Sequence, residues 1–311
     1  MTTINKTAVL GAGVIGASWT ALFLAAGMDV NVYDPSPSVK EDVEAYVADA
    51  WPTLVKLGLA VDGRKGALNF FDNAGEAVVG VQFVQENVPE RLEIKHAVYA
   101  EIEPHLEADA IVSSSASGIM VKEMQEGWQD PSRFILGHPF NPPHLIPLVE
   151  LLANDKTAEG VLEIAEEFYA AVGKTTIRVN KEVPGHVANR LQAALWREAI
   201  YLVNEGVASV EDVDKAVWAG PGLRWAAMGP TMLFHLGAGE GGLNSFCERY
   251  TDSFNRWWDS LGDIRLNPEI AEKLCQGVNA EAAGQDVGQL STERDELISS
   301  MLSSTISKRI N

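Results

Sequence analysis

His138 and Glu150 stand twelve residues apart in Gly137-His138-Pro139-Phe140-Asn141-Pro142-Pro143-His144-Leu145-Ile146-Pro147-Leu148-Val149-Glu150, and together they offer an imidazole base and a carboxylate to support it. A carboxylate beside the ring selects the tautomer and stabilises the imidazolium, as a general base needs if it is to take a proton from an alcohol near neutral pH. The apolar run Phe134, Ile135, Leu136 predicts a short buried strand ending at Gly137. That sets His138 at a strand's C-terminal edge, where open α/β sheets bind ligands. Pro142, Pro143 and Pro147 fix φ in the loop that follows, so a stiff connection holds Glu150 against His138 before residues 148–150 resume an extended pattern. From these residues alone, a structural histidine in a proline-rich turn is an equally good reading.

A second constellation lies at the N-terminus. Gly11-Ala12-Gly13-Val14-Ile15-Gly16 follows the strand-like Thr7-Ala8-Val9-Leu10 and opens a small-residue helix over residues 17–26. Val30-Asn31-Val32-Tyr33 is then a second strand, ending in Asp34, 18 residues beyond the last glycine. A Gly-x-Gly-x-x-Gly run in that context is a dinucleotide fingerprint. Gly11 permits the tight turn, Gly13 lets backbone approach a pyrophosphate, and Gly16 allows close helix packing, while the helix N-terminus offers free N–H groups to the phosphates. Asp34 is placed to accept hydrogen bonds from a ribose and repels a 2′-phosphate, which favours NAD over NADP.

These residues need a scaffold. Residues 38–62 carry helical spacing at Val43, Tyr46, Val47, Trp51, Leu54 and Val55, with Glu41, Asp42, Glu44 and Asp49 as a solvated face and Pro52 expected to kink or split the run. Strands are predicted at residues 68–71, 81–86 and 110–112, with a helix opened by Val88-Pro89-Glu90 and carrying Glu93 and Lys95. The turn Ser113-Ser114-Ser115-Ala116-Ser117-Gly118 either hydrogen-bonds a ligand or caps the next helix. A helix over residues 158–172 and a strand over residues 175–179 complete a mostly parallel, doubly wound α/β sheet of Rossmann type. Pro184-Gly185 then introduces a long helical pattern at Val187, Leu191, Leu195, Ala199 and Leu202, with no convincing strand beyond it. The expected division is an NAD-binding domain over residues 1–183 and an all-helical substrate and dimerisation domain over residues 184–311.

Composition narrows the class. The 311 residues are 46% hydrophobic, enough for about two buried cores. A net charge of −19 without clustered Lys and Arg disfavours nucleic acid. Cys247 and Cys275 form no Cys-x-x-Cys, so neither a disulfide framework nor a metal site is expected. Residues 1–6 leave no room for a signal peptide, and the apolar residues 19–26 are too few to span a bilayer, so the expectation is a cytoplasmic protein without a membrane partner.

Four matches resemble the 3-hydroxyacyl-CoA dehydrogenase family over essentially the whole chain: the glycine fingerprint, the Ser-rich turn, His-Pro-Phe-Asn-Pro with an acid twelve residues after the histidine, and Pro184-Gly185-His186-Val187-Ala188-Asn189-Arg190. The resemblance implies that His138 is the catalytic base and Glu150 its partner, with Ser117 and Asn189 as active-site residues. It puts Val14, Ile15, Glu90, Lys95, Ser115 and Asn141 among the cofactor contacts beside Gly11, Gly13, Gly16 and Asp34. It also implies a homodimer.

The segment Gly220-Pro221-Gly222-Leu223-Arg224-Trp225-Ala226-Ala227-Met228-Gly229-Pro230, followed by Phe234-His235-Leu236, is similar to the branch of that family handling small 3-hydroxy acids, carnitine and gulonate among them. The family's Asn-Thr before the serine is here Ser115-Ala116, and the helix after the second strand is acidic where the acyl-CoA enzymes carry lysines. The expected reaction is NAD-dependent oxidation of a small 3-hydroxy acid, carnitine foremost. The competing readings are the same chemistry on gulonate or a CoA thioester, and a crystallin-like protein without turnover. Phe140, Trp196, Trp218, Trp225 and Phe234 are candidates to face a quaternary ammonium, and Arg224 a carboxylate, against their being core or dimer contacts. His144 and His235 are the alternative bases.

Overall fold

A computed structural model of the protein describes residues 4–60 and 65–309. Residues 61–64, of which 61 and 62 end the expected second helix, lie outside the described residues. Contacts divide the chain into Met1–Val187 together with Glu293–Asn311, and Ala188–Thr292. The sequence reading broke the chain at residue 184 and kept its C-terminus in the second domain; by contacts, the segment from Glu293 on belongs with the first unit.

The first unit is built on an eight-stranded sheet in the order β3-β2-β1-β4-β5-β6-β7-β8. The strands are β1 (Lys6–Leu10), β2 (Asp29–Tyr33), β3 (Leu68–Phe71), β4 (Phe83–Glu86), β5 (Ile111–Ser114), β6 (Phe134–Pro139), β7 (Leu148–Leu152) and β8 (Thr175–Arg178). Its helices are α1 (Val14–Ala25), α2 (Val39–Lys56), α3 (Ala74–Ala77), α4 (Leu92–Ile102), α5 (Val121–Met124) and α6 (Val161–Ala171). Each strand pair is parallel except β6 with β7.

Period-two alternation assigns each strand's side chains to opposite layers. Val9, Val30, Val32, Phe83, Ile111 and Ile135 share a core with Trp19 and Phe23 of α1, Val43 and Val47 of α2, and Phe168 of α6. Ala8, Leu10, Val84, Val112, Phe134 and Leu136 pack on the other face with Val98 and Tyr99 of α4 and Val121 of α5. Helices on both faces explain why these strands read as nearly continuous apolar runs.

Three local expectations are corrected. Pro52 does not split the segment into two helices: α2 runs unbroken, with Pro52 on its exposed side, where water can take the carbonyl that Pro52 cannot pair. Val55 faces solvent. The helix expected to open at Val88 starts at Leu92, because Arg91 N–H turns back on the Pro89 carbonyl at 2.7 Å and leaves Glu90 in an irregular loop.

In the second unit lie α7 (Ala188–Asn204), α8 (Val210–Ala219), α9 (Pro221–Ala227), α10 (Pro230–Gly237), α11 (Gly242–Ser260), α12 (Pro268–Glu281) and the start of α13 (Val287–Arg309). No strand occurs there among the described residues, and no described helix is long and apolar enough to cross a membrane. Its buried centre gathers Val203, Val210 and Val213.

Candidate active site

Between β1 and α1 the chain makes a turn that only glycine fits. Gly11 has φ +80°, and a Cβ there would meet the backbone of Asn87 at 2.7 Å. A Cβ on Gly16 would strike the carbonyl of Gly11. At Gly13, by contrast, a Cβ would find nothing within 4 Å, so open space lies in front of the first turn of α1. That helix has no side-chain cap, so its first N–H groups keep their capacity for an anion. Asp34, just past β2, accepts from Ala12 N–H at 2.7 Å and Ser36 N–H at 2.9 Å, one on each oxygen. A carboxylate has room for further donors, so ribose hydroxyls can join them. The cradle fits a dinucleotide diphosphate with a free 2′-hydroxyl.

His138 lies one residue further into the sheet than the sequence suggested. β6 continues past Gly137 to Pro139, and β7 returns antiparallel beside it, so His138 and Glu150 are direct cross-strand partners. Gly137 must be glycine: a Cβ would collide with Ser113 Oγ and Tyr169 Oη. Glu150 Oε2 lies 2.9 Å from His138 Nδ1, and its Oε1 accepts Val187 N–H at 2.9 Å. Glu150 is fully buried and His138 nearly so. With Nδ1 engaged, Nε2 is the nitrogen left for chemistry. Phe140 stands edge-on to the imidazole, 6.4 Å between ring centres.

No serine of the Ser-rich turn caps the next helix, α5, whose N-cap is Met120; the turn bonds to neighbouring segments of the chain instead. Ser117 donates from Oγ to Glu90 Oε2 at 2.7 Å and from N–H to Oε1 at 2.8 Å, and Gly118 and Ile119 N–H also point to Oε1. Burial pushes the Glu90 carboxyl up, but the donors from Gly118, Ser117 and Ile119 outweigh it and hold it below the usual carboxylate range. Ser115 bridges Gln85 Nε2 at 2.8 Å and Asn87 Oδ1 at 2.7 Å, tying β5 to the loop beside Gly11. Asn141 is exposed in the proline loop, preceding a cis peptide to Pro142.

Lys95 does not reach an open surface. Its ammonium is buried against Glu86 Oε1 at 2.7 Å and the Val88 carbonyl at 3.3 Å, while Tyr99 and Ser114 hydroxyls satisfy Glu86 Oε2 at 2.7 Å each. In this position it braces the 86–90 loop from within. Sequence reasoning missed Glu86 and Asn87, because nothing local marks a strand-end acid or amide whose partners come from other elements.

His144 is a structural residue. Ser18 Oγ lies 2.9 Å from its Nδ1 and accepts its backbone N–H at 2.8 Å, and burial pushes the imidazole down to about 4, opposed by Asp295. Within the second unit, the partly buried Phe234 packs on Phe246 at 4.7 Å and Phe254 at 5.5 Å, as part of an aromatic cluster. His235 Nδ1 accepts Leu243 N–H at 3.2 Å. Trp196, Trp218, Arg224 and Trp225 are exposed on α7, α8 and α9, and Asn189 sits in the first turn of α7. Among the described residues no cluster of His, Cys, Asp and Glu could hold a metal ion.

Comparison with known proteins finds matches to both parts of the chain. Residues 6–183 match the model of the 3-hydroxyacyl-CoA dehydrogenase NAD binding domain, and residues 185–277 match that of its C-terminal domain. The chain is 40% identical to an L-carnitine dehydrogenase of Streptomyces coelicolor over 97% of its own length and 95% of that protein's. It is 40% identical to one of Oceanobacillus iheyensis, covering 95% and 96%. Among solved structures, 5-formyl-3-hydroxy-2-methylpyridine 4-carboxylic acid 5-dehydrogenase, described as an NAD+ dependent dismutase, superposes with a TM-score of 0.82 at 30% identity, covering 96% of this chain and 97% of that one.

Proposed function

The chain belongs to the 3-hydroxyacyl-CoA dehydrogenase family and is an NAD-dependent dehydrogenase acting on a CH–OH group, and from that premise we propose that it oxidises L-carnitine to 3-dehydrocarnitine. The observation that carries the substrate is the 40% identity to L-carnitine dehydrogenases over nearly the whole of both chains.

The chemistry follows from the residues in hand. NAD, when bound at the glycine cradle, supplies the hydride acceptor. His138 Nε2 takes the hydroxyl proton while the C–H bond gives up its hydride, leaving a ketone and an imidazolium. Glu150, hydrogen-bonded to Nδ1, meets that new positive charge, and Val187 N–H keeps the carboxylate aimed. Gly11, Gly13, Val14, Ile15 and Gly16 hold the pyrophosphate, Asp34 the adenosine ribose, and Glu90, Ser115 and Asn141 line the cofactor's path. Lys95 supports that path from behind. Ser117 and Asn189 contact substrate by resemblance to the family. Residues 1–183 carry the cofactor domain and the helices that follow carry the substrate and dimerisation domain, with the segment from Glu293 on grouped with the first unit by its contacts. Exposed apolar side chains in the helical unit, among them Leu223, Trp257 and Trp258, support a homodimer.

A second reading has its own support in the 0.82 superposition on the pyridine dehydrogenase. Carnitine and that enzyme's substrate both carry a free carboxylate near the reacting carbon. Purified protein with NAD, assayed against L-carnitine, L-gulonate, 3-hydroxybutyrate, 3-hydroxybutyryl-CoA and the formylpyridine carboxylate, decides between them. L-Carnitine is expected to give the highest kcat/KM. A preference for the thioester or the pyridine would overturn the proposal.

A further inference from the structure

His186 is a buried imidazole beside the general base, and neither of its ring nitrogens has a hydrogen-bond partner of ordinary geometry. Its residue is 3% exposed, and the one group that engages the ring is the Ala116 backbone, whose weak hydrogen bond favours the protonated form without meeting ordinary hydrogen-bond geometry. A buried ring nitrogen left unpaired costs about as much as a lost hydrogen bond, so such a group calls for an explanation. The backbone at His186 is also held at φ +48°, a left-handed conformation uncommon outside glycine. Strain of this kind persists where the surroundings over-determine it, and it gathers at ligand clamps.

The surroundings are those of the general base. The His186 ring centre lies 5.2 Å from that of His138, with the planes tilted by 51°. The next residue, Val187, gives its N–H to Glu150. Burial, and then the charge of His138, push the His186 imidazole down, so it stays neutral beside a base that must itself become cationic. A neutral imidazole brings one N–H donor and one acceptor without opposing that charge.

We propose that His186 is the specificity residue that donates a hydrogen bond to the free carboxylate of the substrate, and so selects hydroxy acids over their esters and thioesters. The proposal rests on the hydroxy-acid reading above. In a 3-hydroxy acid the carboxylate carbon is two bonds from the carbon bearing the hydroxyl, and a hydroxyl on His138 Nε2 leaves the carboxylate beside the neighbouring ring. Turning the His186 ring toward it gives up only the weak contact with the Ala116 backbone. A carboxylate is the stronger acceptor, since hydrogen bonds to an ionised group are roughly twice as strong as neutral ones.

The test compares L-carnitine with L-carnitine methyl ester on the wild-type protein, His186→Gly and His186→Asn. Glycine removes the donor and adopts the left-handed backbone freely, while asparagine tolerates that backbone and retains an N–H donor. The wild type is expected to favour the acid over the ester by about tenfold or more in kcat/KM. His186→Gly should lose that preference through a raised KM for the acid, with KM for NAD unchanged, and His186→Asn should recover part of it. Equal losses on acid and ester would make His186 a packing residue and overturn the proposal, as would a wild type indifferent to esterification. If the wild type turns over 3-hydroxybutyrate but not carnitine, the carnitine reading alone has failed, and the same comparison on 3-hydroxybutyrate and its methyl ester decides the role of His186. Thermal melts of both variants show whether a loss reflects misfolding.

Discussion

Glu150 and His138 face each other directly across the antiparallel pair β6 and β7, and the side-chain hydrogen bond of 2.9 Å follows from that register. A one-residue slip would send Glu150 to the other face of the sheet, so the dyad depends on whatever fixes the turn. The turn is anchored by Leu145 and Ile146 N–H groups on the Pro142 carbonyl at 3.0 and 2.9 Å, and by Phe140 N–H on Leu148 at 3.3 Å. Register, not loop stiffness alone, supplies the base with its carboxylate.

Replacing His138 by glutamine should remove the base and leave the cofactor cradle intact. General-base catalysis is worth about 10²- to 10⁴-fold, so kcat should fall by that order while the dissociation constant for NAD, measured by fluorescence quenching, stays nearly unchanged. A kcat near that of the wild type would exclude His138 as the base.

Asp34 should set the choice between NAD and NADP. Its carboxylate already accepts from Ala12 and Ser36, and a 2′-phosphate would bring negative charge against it. The wild type should use NAD far better than NADP. Asp34→Ala should erode that preference by weakening NAD, by about tenfold for the loss of hydrogen bonds to a charged acceptor. A wild type that prefers NADP would refute the assignment.

Lys174 should make stability depend on pH in a way a neutral substitute does not. Its ammonium donates to the carbonyls of Pro143 and Ile146, lies 4.9 Å above the Trp19 ring, and has no carboxylate paired with it among the described residues. Burial pushes it down to about 7 from an ordinary value of 10.5. Between those values the unfolded chain binds the proton that the folded chain has released, so stability rises with pH across that window. The Tm of Lys174→Met relative to wild type should therefore be highest below about pH 7 and decline toward pH 10, as read by melts at a series of pH values. A pH-independent difference would mean that the lysine stays charged in the fold.

What the sequence made legible was local. The glycine fingerprint reads correctly because Gly11 and Gly16 answer steric demands within one turn, and the alternating elements follow from periodicity. His138 and Glu150 were legible as a pair through their spacing, yet β6 was cut short at Gly137, because a proline-rich stretch looks like a loop whether or not the chain returns antiparallel. The Glu90 carboxylate on the Ser117 turn, the Glu86 bond to Lys95 and the packing of Phe234 on Phe246 join separate elements. No periodicity announces them. The left-handed backbone of His186 was equally hidden, since its residue type is compatible with ordinary backbone.

Recognition of the trimethylammonium is the most exposed claim. A quaternary ammonium has no N–H to donate, so a site holds it by aromatic faces, each worth roughly 0.5 to 2 kcal/mol. Phe140, edge-on to His138, is the aromatic candidate beside the base, and Trp196, Trp218 and Trp225 present exposed rings on the helical unit. Phe234, committed to its cluster with Phe246 and Phe254, is the weakest of the original candidates. The chain's net charge of −19 adds little, since salt screens exposed charges over about 10 Å. The comparison to make is kcat/KM for L-carnitine against an analogue whose trimethylammonium is a neutral tert-butyl group, which keeps the shape and removes the charge. An aromatic cage requires a loss on the order of tenfold or more for the neutral analogue, the equivalent of about 1.4 kcal/mol. Comparable rates on the two would show that shape alone is read at that end, and would move the assignment toward gulonate or another uncharged hydroxy acid.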